Sequence, residues 1–499
     1  MTNIIDFEKK RFNTVGLSSS LLPHYVNAVL VGSDADFWTE LLQSGNRQSD
    51  ALSFNIQKIS SPLLFSGFQS EIVKENQSVF QNMGFSPMIG AGNGERSSEK
   101  AVFVPGSAIS VLFLTGDLSI EATGTVTAVN QQQLLAFGHS LFNLGAIELP
   151  LAGAQIYATL PSLMGSSKMG AATTIAGTFL QDRISGALGD LSRMPKMIPV
   201  SLTIDSPFHD PRNYSFSLAN DPAFNHLLPF FLRTALIQAM QMARLAGEQN
   251  SSLLQGEIAL NDGRSIKLND LFTSRQSLGF LNPGADVVDA ADLVTQLLGT
   301  LKVHDFVGPD IKAIALKLKT LPGERYARIE SATVDKSSVY NGESITVTVT
   351  LHDQKDQIIT LQKKIDVPKG MDGSRFQLIV ASGASLSNYE MQVNRNKFVP
   401  QDFDHLFQLL SDRRSTQNVY IQLRKIDNGL MVNGQELNSI PPSIYNVLNS
   451  RTSRGITTPL RDCALLEEVI PQEQVILGSQ RLTLLIKPSN RARIQSLNK

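Results

Sequence analysis

Seven histidines and a single cysteine bound the chemistry this chain can carry. His24, His226, His304, His352 and His405 are scattered, and no HxH or HExxH pattern brings two of them to ligand spacing. A zinc site is therefore not expected. His209 lies in SPFHDPRN, a turn-forming run, and reads as a loop histidine. His139 differs. It lies in QLLAFGHSLFNLG (133–145), where an apolar strand ends at Phe137 and Gly138 precedes the ring. A histidine at a strand end can be gripped from behind and stay open in front. A general base needs that setting, because it must come within hydrogen-bond reach of a nucleophile's proton. The competing reading is a histidine satisfied by a backbone carbonyl, and the residues taken alone favour it.

The other reactive residue types sit in settings that bland roles explain. No G-x-S-x-G elbow occurs, so no serine is presented on a strand-to-helix turn. Ser166-Ser167-Lys168, in LMGSSKMG, reads as a polar turn before it reads as a Ser/Lys pair. Asp182, in FLQDRISGALGD, can orient a histidine, pair with Arg183 or cap a turn, and the structural roles are favoured. GAGNGE (90–95) lacks the Lys-Ser/Thr of a phosphate loop. No motif calls for a cofactor or a metal.

These residues must be positioned by a chain of 499 residues, 42% hydrophobic and 18% charged. That composition buries several cores, and at ~150 residues per domain about two to four domains are expected. A formal net charge of −1 leaves no basic excess, so nucleic acid and anionic membrane surfaces are not expected partners. One cysteine, Cys463, allows no internal disulfide and does not fix a compartment. The first residues, MTNIIDFEKKRFNTVGLSSS, lack the apolar core of a signal peptide and carry Asp6 and Glu8. No apolar window reaches the ~18 residues a membrane span needs. The nearest, 227–247, holds Arg233, Gln238, Gln241 and Arg244 and reads as an amphipathic helix.

Periodicity then divides the chain. Residues 1–60 suggest short strands, 67–84 a helix stopped by Gly84, and 90–100 a Gly-rich loop. From 101 to 205, short apolar runs (AVFVPG, SVLFLTGD, GTVTAV, QLLAFGH) alternate with turn residues, which predicts strands, ending in AATTIAGTFLQDR and MIPVSLTI. Residues 206–325 hold two predicted helices, one closed by Gly247 and one over 284–302. SITVTVTL and QIITLQKKIDV, joined by the polar DQKD (353–356), predict an immunoglobulin-like sandwich over 326–395. The last hundred residues show a helix (DFDHLFQLLSDR), a strand (VYIQLRKI), a turn at Asp427-Asn428-Gly429 and a final RLTLLIK strand.

The order of the segments PLLFSGF (62–68), VPGSAISVLFLTGDLSIEATGTVTAV (104–129), LLAFGHSLFNLGAIELPLAGAQIYATLPS (134–162), SSKMG (166–170), GTFLQDRISGALGDL (177–191) and MIPVSLTI (197–204) resembles the SpoIVB-type serine peptidase domain. The likeness is to the long multidomain versions in non-sporulating bacteria, and it covers about 60–205. The AFGH core followed by QDR-SG-LG carries most of it. The resemblance implies that His139 is the catalytic base, the one catalytic role carried over; Gly138 is read beside it as backbone support, and Asp182 is weighed as an orienting acid outside the family's own pattern. The family's nucleophile lies in a GMSGSP-type element with the family acid beside it. In the long versions that element precedes the matched region, and it does not occur in these 499 residues. The start near Asn3–Phe7 looks like the point just after it, so the chain is read as shortened or as having lost its nucleophile. Ser107 and Ser140 are the nearest serines in motif context, and neither is assigned the role.

The expectation is thus a mainly β, multidomain protein with some α. It comprises a peptidase remnant (1–59), a β-rich SpoIVB-type peptidase domain (60–205), a mixed helical region (206–325), a β-sandwich (326–395) and a small α+β C-terminal region (396–499). The implied function is a serine endopeptidase acting on a protein or peptide substrate in the bacterial envelope or periplasm, incomplete as given. The alternative is a non-catalytic envelope scaffold that binds a protein partner through the sandwich. Cytoplasmic chaperone-like use is a third reading, suggested by the missing signal peptide.

Overall fold

The computed structural model describes residues 61–82, 84–90, 101–160, 167–242, 249–274, 284–340, 342–368, 375–425 and 462–487, with Val26, Val29, Leu30, Arg244 and short stretches between 429 and 460. Within 1–60, where short strands are expected, the described Val26, Val29 and Leu30 are helical instead; the rest of that stretch, the loop at 91–100, Ser166 and the Asp427-Asn428 turn lie outside the described residues. The protein is mainly β, with several sheets and few helices. None of its helices is long and apolar enough to cross a membrane among the described residues.

In the first body, β1 (Ser61–Ser66) and β2 (Phe85–Ile89) bracket two short helices, α1 (Ser70–Glu75) and α2 (Gln77–Asn82). The single helix expected over 67–84 is thus broken at Asn76. Six strands follow: β3 (Ala108–Gly116), β4 (Ser119–Asn130), β5 (Gln133–Ala136), β6 (Gly145–Leu160), β7 (Ser167–Arg183) and β8 (Gly186–Asp190). Each pairs with two others in the order β3-β6-β7-β8-β5-β4, and β4 returns to β3, so the six close into a barrel. Closure removes the open edges that a sheet of this length would otherwise expose. The sequence supports it by alternation: Ile120, Ala122 and Val126 of β4 share a core with Val111, Leu134, Leu149, Leu151 and Phe179. The expected AVFVPG strand does not form. Pro105 cannot donate to a ladder, and the segment instead turns, Gly106 N donating to Val126 O at 2.8 Å.

The sheet continues past the barrel. β9 (Met197–Ser206) pairs with β10 (His209–Ala219), which pairs with β3. The helix α3 (Leu228–Gln241), strands β11 (Asn250–Leu260) and β12 (Ser265–Thr273), helix α4 (Ala285–Lys302) and strand β13 (Ile311–Pro322) complete this body. β13 runs parallel to β9. The division expected at 205/206 therefore falls inside one continuous sheet with one core. α3 is buried on almost every side rather than on one stripe, Arg233 and Gln241 excepted. An all-round apolar helix belongs inside a core, and here the aromatic residues Phe224 and Phe231 stack on Phe113 of the barrel wall.

In the second body, β14 (Tyr326–Val334), β15 (Ser338–Tyr340), β16 (Ser344–Asp353), β17 (Ile358–Asp366) and β18 (Arg375–Ser382) are followed by α5 (Gly383–Val393) and α6 (Phe403–Ser411). Then come β19 (Asn418–Lys425), a small sheet of β20 (Gly429–Val432), β21 (Gln435–Leu437) and β22 (Thr457–Leu460), and last β23 (Cys463–Pro471), β24 (Val475–Leu477) and β25 (Ser479–Lys487). A four-stranded sheet, β17-β16-β14-β24, faces a five-stranded one, β15-β25-β18-β19-β23, over a shared apolar core. The predicted period-two face of β16 (Ile345, Val347, Val349, Leu351) lies in that core. The division expected at 395/396 cuts through this sandwich, because β18 pairs with β19 and β25 from beyond it. The helix α6 leaves the sandwich and packs Phe403, Leu406 and Leu410 into the core of the first body.

Candidate active site at the barrel rim

The link from β5 to β6 crosses one end of the barrel and carries the AFGHSLFNL sequence. Five residues fix it. Phe137 adopts φ 72°, and its ring lies where a side chain on Gly124 would stand, edge-on to Phe179 at 5.8 Å. Gly138 follows at φ 73°, a left-handed backbone that glycine adopts without steric cost. Gly186 lets the β7–β8 turn close against this segment, since a Cβ there would stand 2.8 Å from Ala136 O and 3.5 Å from Gly138 N. Further along, Phe142 inserts among Phe85, Phe113 and Phe224 with centroid distances of 4.8, 5.7 and 5.1 Å.

The fifth is Asp182, at the end of β7. Its carboxylate is fully buried and is used by the link's backbone. Leu141 N donates to Oδ1 at 2.8 Å, while Phe142 N and Leu144 N donate to Oδ2 at 2.7 and 3.3 Å. Charge-assisted bonds of this kind are about twice as strong as neutral ones. Of the three roles weighed for Asp182, the geometry matches the turn cap most closely. Neither a bond to the His139 ring nor an ion pair with Arg183 forms among the described residues.

Between these anchors, His139 is exposed. Its Nδ1 lies 2.9 Å from Ser140 O. A carbonyl can only accept, so Nδ1 carries a proton in this contact, and in the neutral ring Nε2 then holds the lone pair. A carbonyl thus satisfies one ring nitrogen, as the competing reading of this histidine has it, while the residue as a whole is exposed. Such a ring can take a proton from a group that approaches Nε2. Gly138 is exposed, and a side chain there would meet nothing within 4 Å, so its contribution is the backbone turn that presents the ring.

No serine hydroxyl bonds to the His139 ring among the described residues. Ser107 Oγ accepts from Val104 N at 3.0 Å, which is a turn's own closure. Lys168 Nζ donates to Thr125 Oγ1 at 2.5 Å rather than to a serine. The remaining described histidines play other parts. Burial pushes His226 and His304 below the ordinary imidazole range, and His304 packs on Phe306 and Phe403. His405 Nδ1 accepts from Gln401 N at 3.3 Å. His209 opens β10 beside the Pro207-Phe208 turn. No group of three or more metal-ligating side chains gathers among the described residues.

Sequence reasoning missed the grip on the link. The signal available was the spacing of Phe137 and Phe142 on either side of His139, two aromatics too many for a solvated loop. Set against protein-family models, curated proteins and solved structures, the chain finds no match in any of the three.

Proposed function

We propose that this chain carries the general-base half of a SpoIVB-type serine endopeptidase centre acting on a protein substrate in the bacterial envelope. One observation supports this reading above the others: an exposed imidazole on a braced barrel rim, with Nδ1 tied back to Ser140 O. In that chemistry His139 Nε2 removes the hydroxyl proton as a serine oxygen attacks the scissile carbonyl, and then returns it to the leaving amine. The serine must come from a GMSGSP-type element, which these 499 residues do not contain. The 499 residues alone are therefore expected to be inactive, because losing one triad member removes most of its rate advantage.

The same missing element favours a second reading, a non-catalytic envelope scaffold that keeps the barrel as a platform. Two measurements separate them. The first is the sequence in frame before Met1 at the gene's locus, which the peptidase reading expects to encode a GMSGSP-type element. An in-frame stop immediately upstream favours the scaffold. The second is labelling of the longest in-frame product with a fluorophosphonate. The peptidase reading expects one labelled serine and loss of labelling in His139→Ala. A product that never labels, or labels equally in His139→Ala, sinks it.

A further inference from the structure

We propose that Asp182 orients His139 through the peptide group that joins Ser140 to Leu141, so that carboxylate, peptide and imidazole form one hydrogen-bonded chain. The inference rests on the reading of His139 as a general base, and it supplies the positioning residue for that same site. The two bonds that carry it belong to a single peptide unit. Its N–H donates to Asp182 Oδ1 at 2.8 Å, and its C=O accepts from His139 Nδ1 at 2.9 Å. A trans peptide is planar, with N–H and C=O pointing in opposite directions. A carboxylate that fixes the N–H thereby aims the carbonyl.

The carboxylate is itself immobile. It is fully buried, and the Phe142 and Leu144 amides hold its second oxygen. A charge bound at one end of a peptide also polarises the other end, and chains of hydrogen bonds strengthen one another. The Ser140 carbonyl is therefore a better acceptor than a free one would be. This matters because the His139 ring is exposed, where water competes for Nδ1. In a Ser-His-Asp triad the carboxylate touches the imidazole directly and holds its tautomer. Here the charge sits one peptide behind and fixes the same tautomer, with no proton passing through the peptide.

The test reads the tautomer and needs neither substrate nor serine, so its outcome is independent of the labelling experiment. The chain is labelled with [15N]histidine, and side-chain spectra are recorded at alkaline pH, where imidazoles are neutral. The His139 signals are assigned by their loss in His139→Gln. In the native chain the Nδ1–H form is expected to predominate. In Asp182→Asn, which keeps the size and one acceptor but removes the charge, it is expected to become the minor form. The same loss is expected when the Leu141 N–H alone is replaced by an ester oxygen, a change that leaves Asp182 in place and covers the case in which Asp182→Asn does not fold. A predominant Nε2–H form in the native chain overturns the proposal. So does an unchanged Nδ1–H majority in either folded variant.

Discussion

Two regions of this protein bury a carboxylate completely and put it to opposite use. At the barrel rim, Asp182 is neutralised by three backbone N–H groups, and the segment it grips ends in an exposed imidazole. In the sandwich, Glu390 on α5 is neutralised by side chains. Arg424 and Arg414 each reach it at 3.0 Å, and Gln422 donates at 2.8 Å. Arg424, fully buried, also meets Asp462 Oδ1 at 3.0 Å, and Tyr389 donates to the other oxygen of Asp462 at 2.6 Å. Burial pushes Glu390 upward, but Lys397, Arg414 and its hydrogen bonds outweigh that and hold it at about 2. A carboxylate satisfied by amides shapes a loop and leaves its neighbour free to react. One satisfied by arginines seals a joint. Acidic burial alone therefore does not mark a functional site in this molecule. What the charge is bonded to does.

The contrast can be broken most sharply at Arg424. Its replacement in Arg424→Met leaves Glu390 and Asp462 short of a cation inside the sandwich, and stability should fall by about 3–5 kcal/mol in urea unfolding. A loss below about 1 kcal/mol would mean that water reaches the joint and that it is not sealed. Next in size is Asp182→Ala, which strands three amides at a partly wet rim and should cost about 2 kcal/mol. Hydrogen exchange should speed up at Leu141, Phe142 and Leu144 and stay unchanged in β18 and β19. Uniform acceleration would contradict a local clamp.

A third acidic group sharpens the comparison because it is under-compensated. On α4, Asp286, Asp289 and Asp292 share two arginines, Arg244 at 2.8 Å from Asp286 and Arg233 at 2.5 Å from Asp292. Ser252 and Ser274 also donate to Asp286. Burial, then Asp292 and Asp286, raise Asp289 from 3.8 to about 7. The folded protein thus holds this proton more tightly than the unfolded chain. The stability it confers is full below the unfolded value and is lost as pH rises toward 7. The decline is expected between pH 4 and pH 8, and Asp289→Asn should flatten it. Glu390 acts in the opposite sense and in a separate window, losing its contribution as pH falls below 4.5 toward 2. The smallest effect belongs to His139→Ala. An exposed side chain outside any core should change stability by less than about 0.5 kcal/mol. A larger loss would place the imidazole in the scaffold rather than at its surface.

Local pattern carried the elements far better than it carried their partners. The α4 span (285–302), the α6 span and the β16 face follow from periodicity, because each is decided within a few turns or residues. The closure of the barrel is decided by β3 meeting β4 and β6 together, a pairing of distant segments that alternation does not encode. The same blindness placed a boundary near 395, since β25 returns from 479–487 to pair with β18. At the site, the exposure of His139 fits the strand-end reasoning. The work of Asp182 was not legible, because its partners are amides and every residue but proline has one.

One feature of the architecture also dictates when the protein can finish folding. The helix α6 follows most of the sandwich's first strands in the chain, yet Phe403, Leu406 and Leu410 fill the core of the other body. Arg264 of that body packs over Phe403 and Phe407 at 5.1 and 4.9 Å, and Arg413 pairs with Asp270. During synthesis the apolar seat of α6 on the barrel-containing half therefore stays uncovered until the segment through Arg413 has left the ribosome. Docking of α6 is thus a late step, one that completes a core whose other residues were all made earlier.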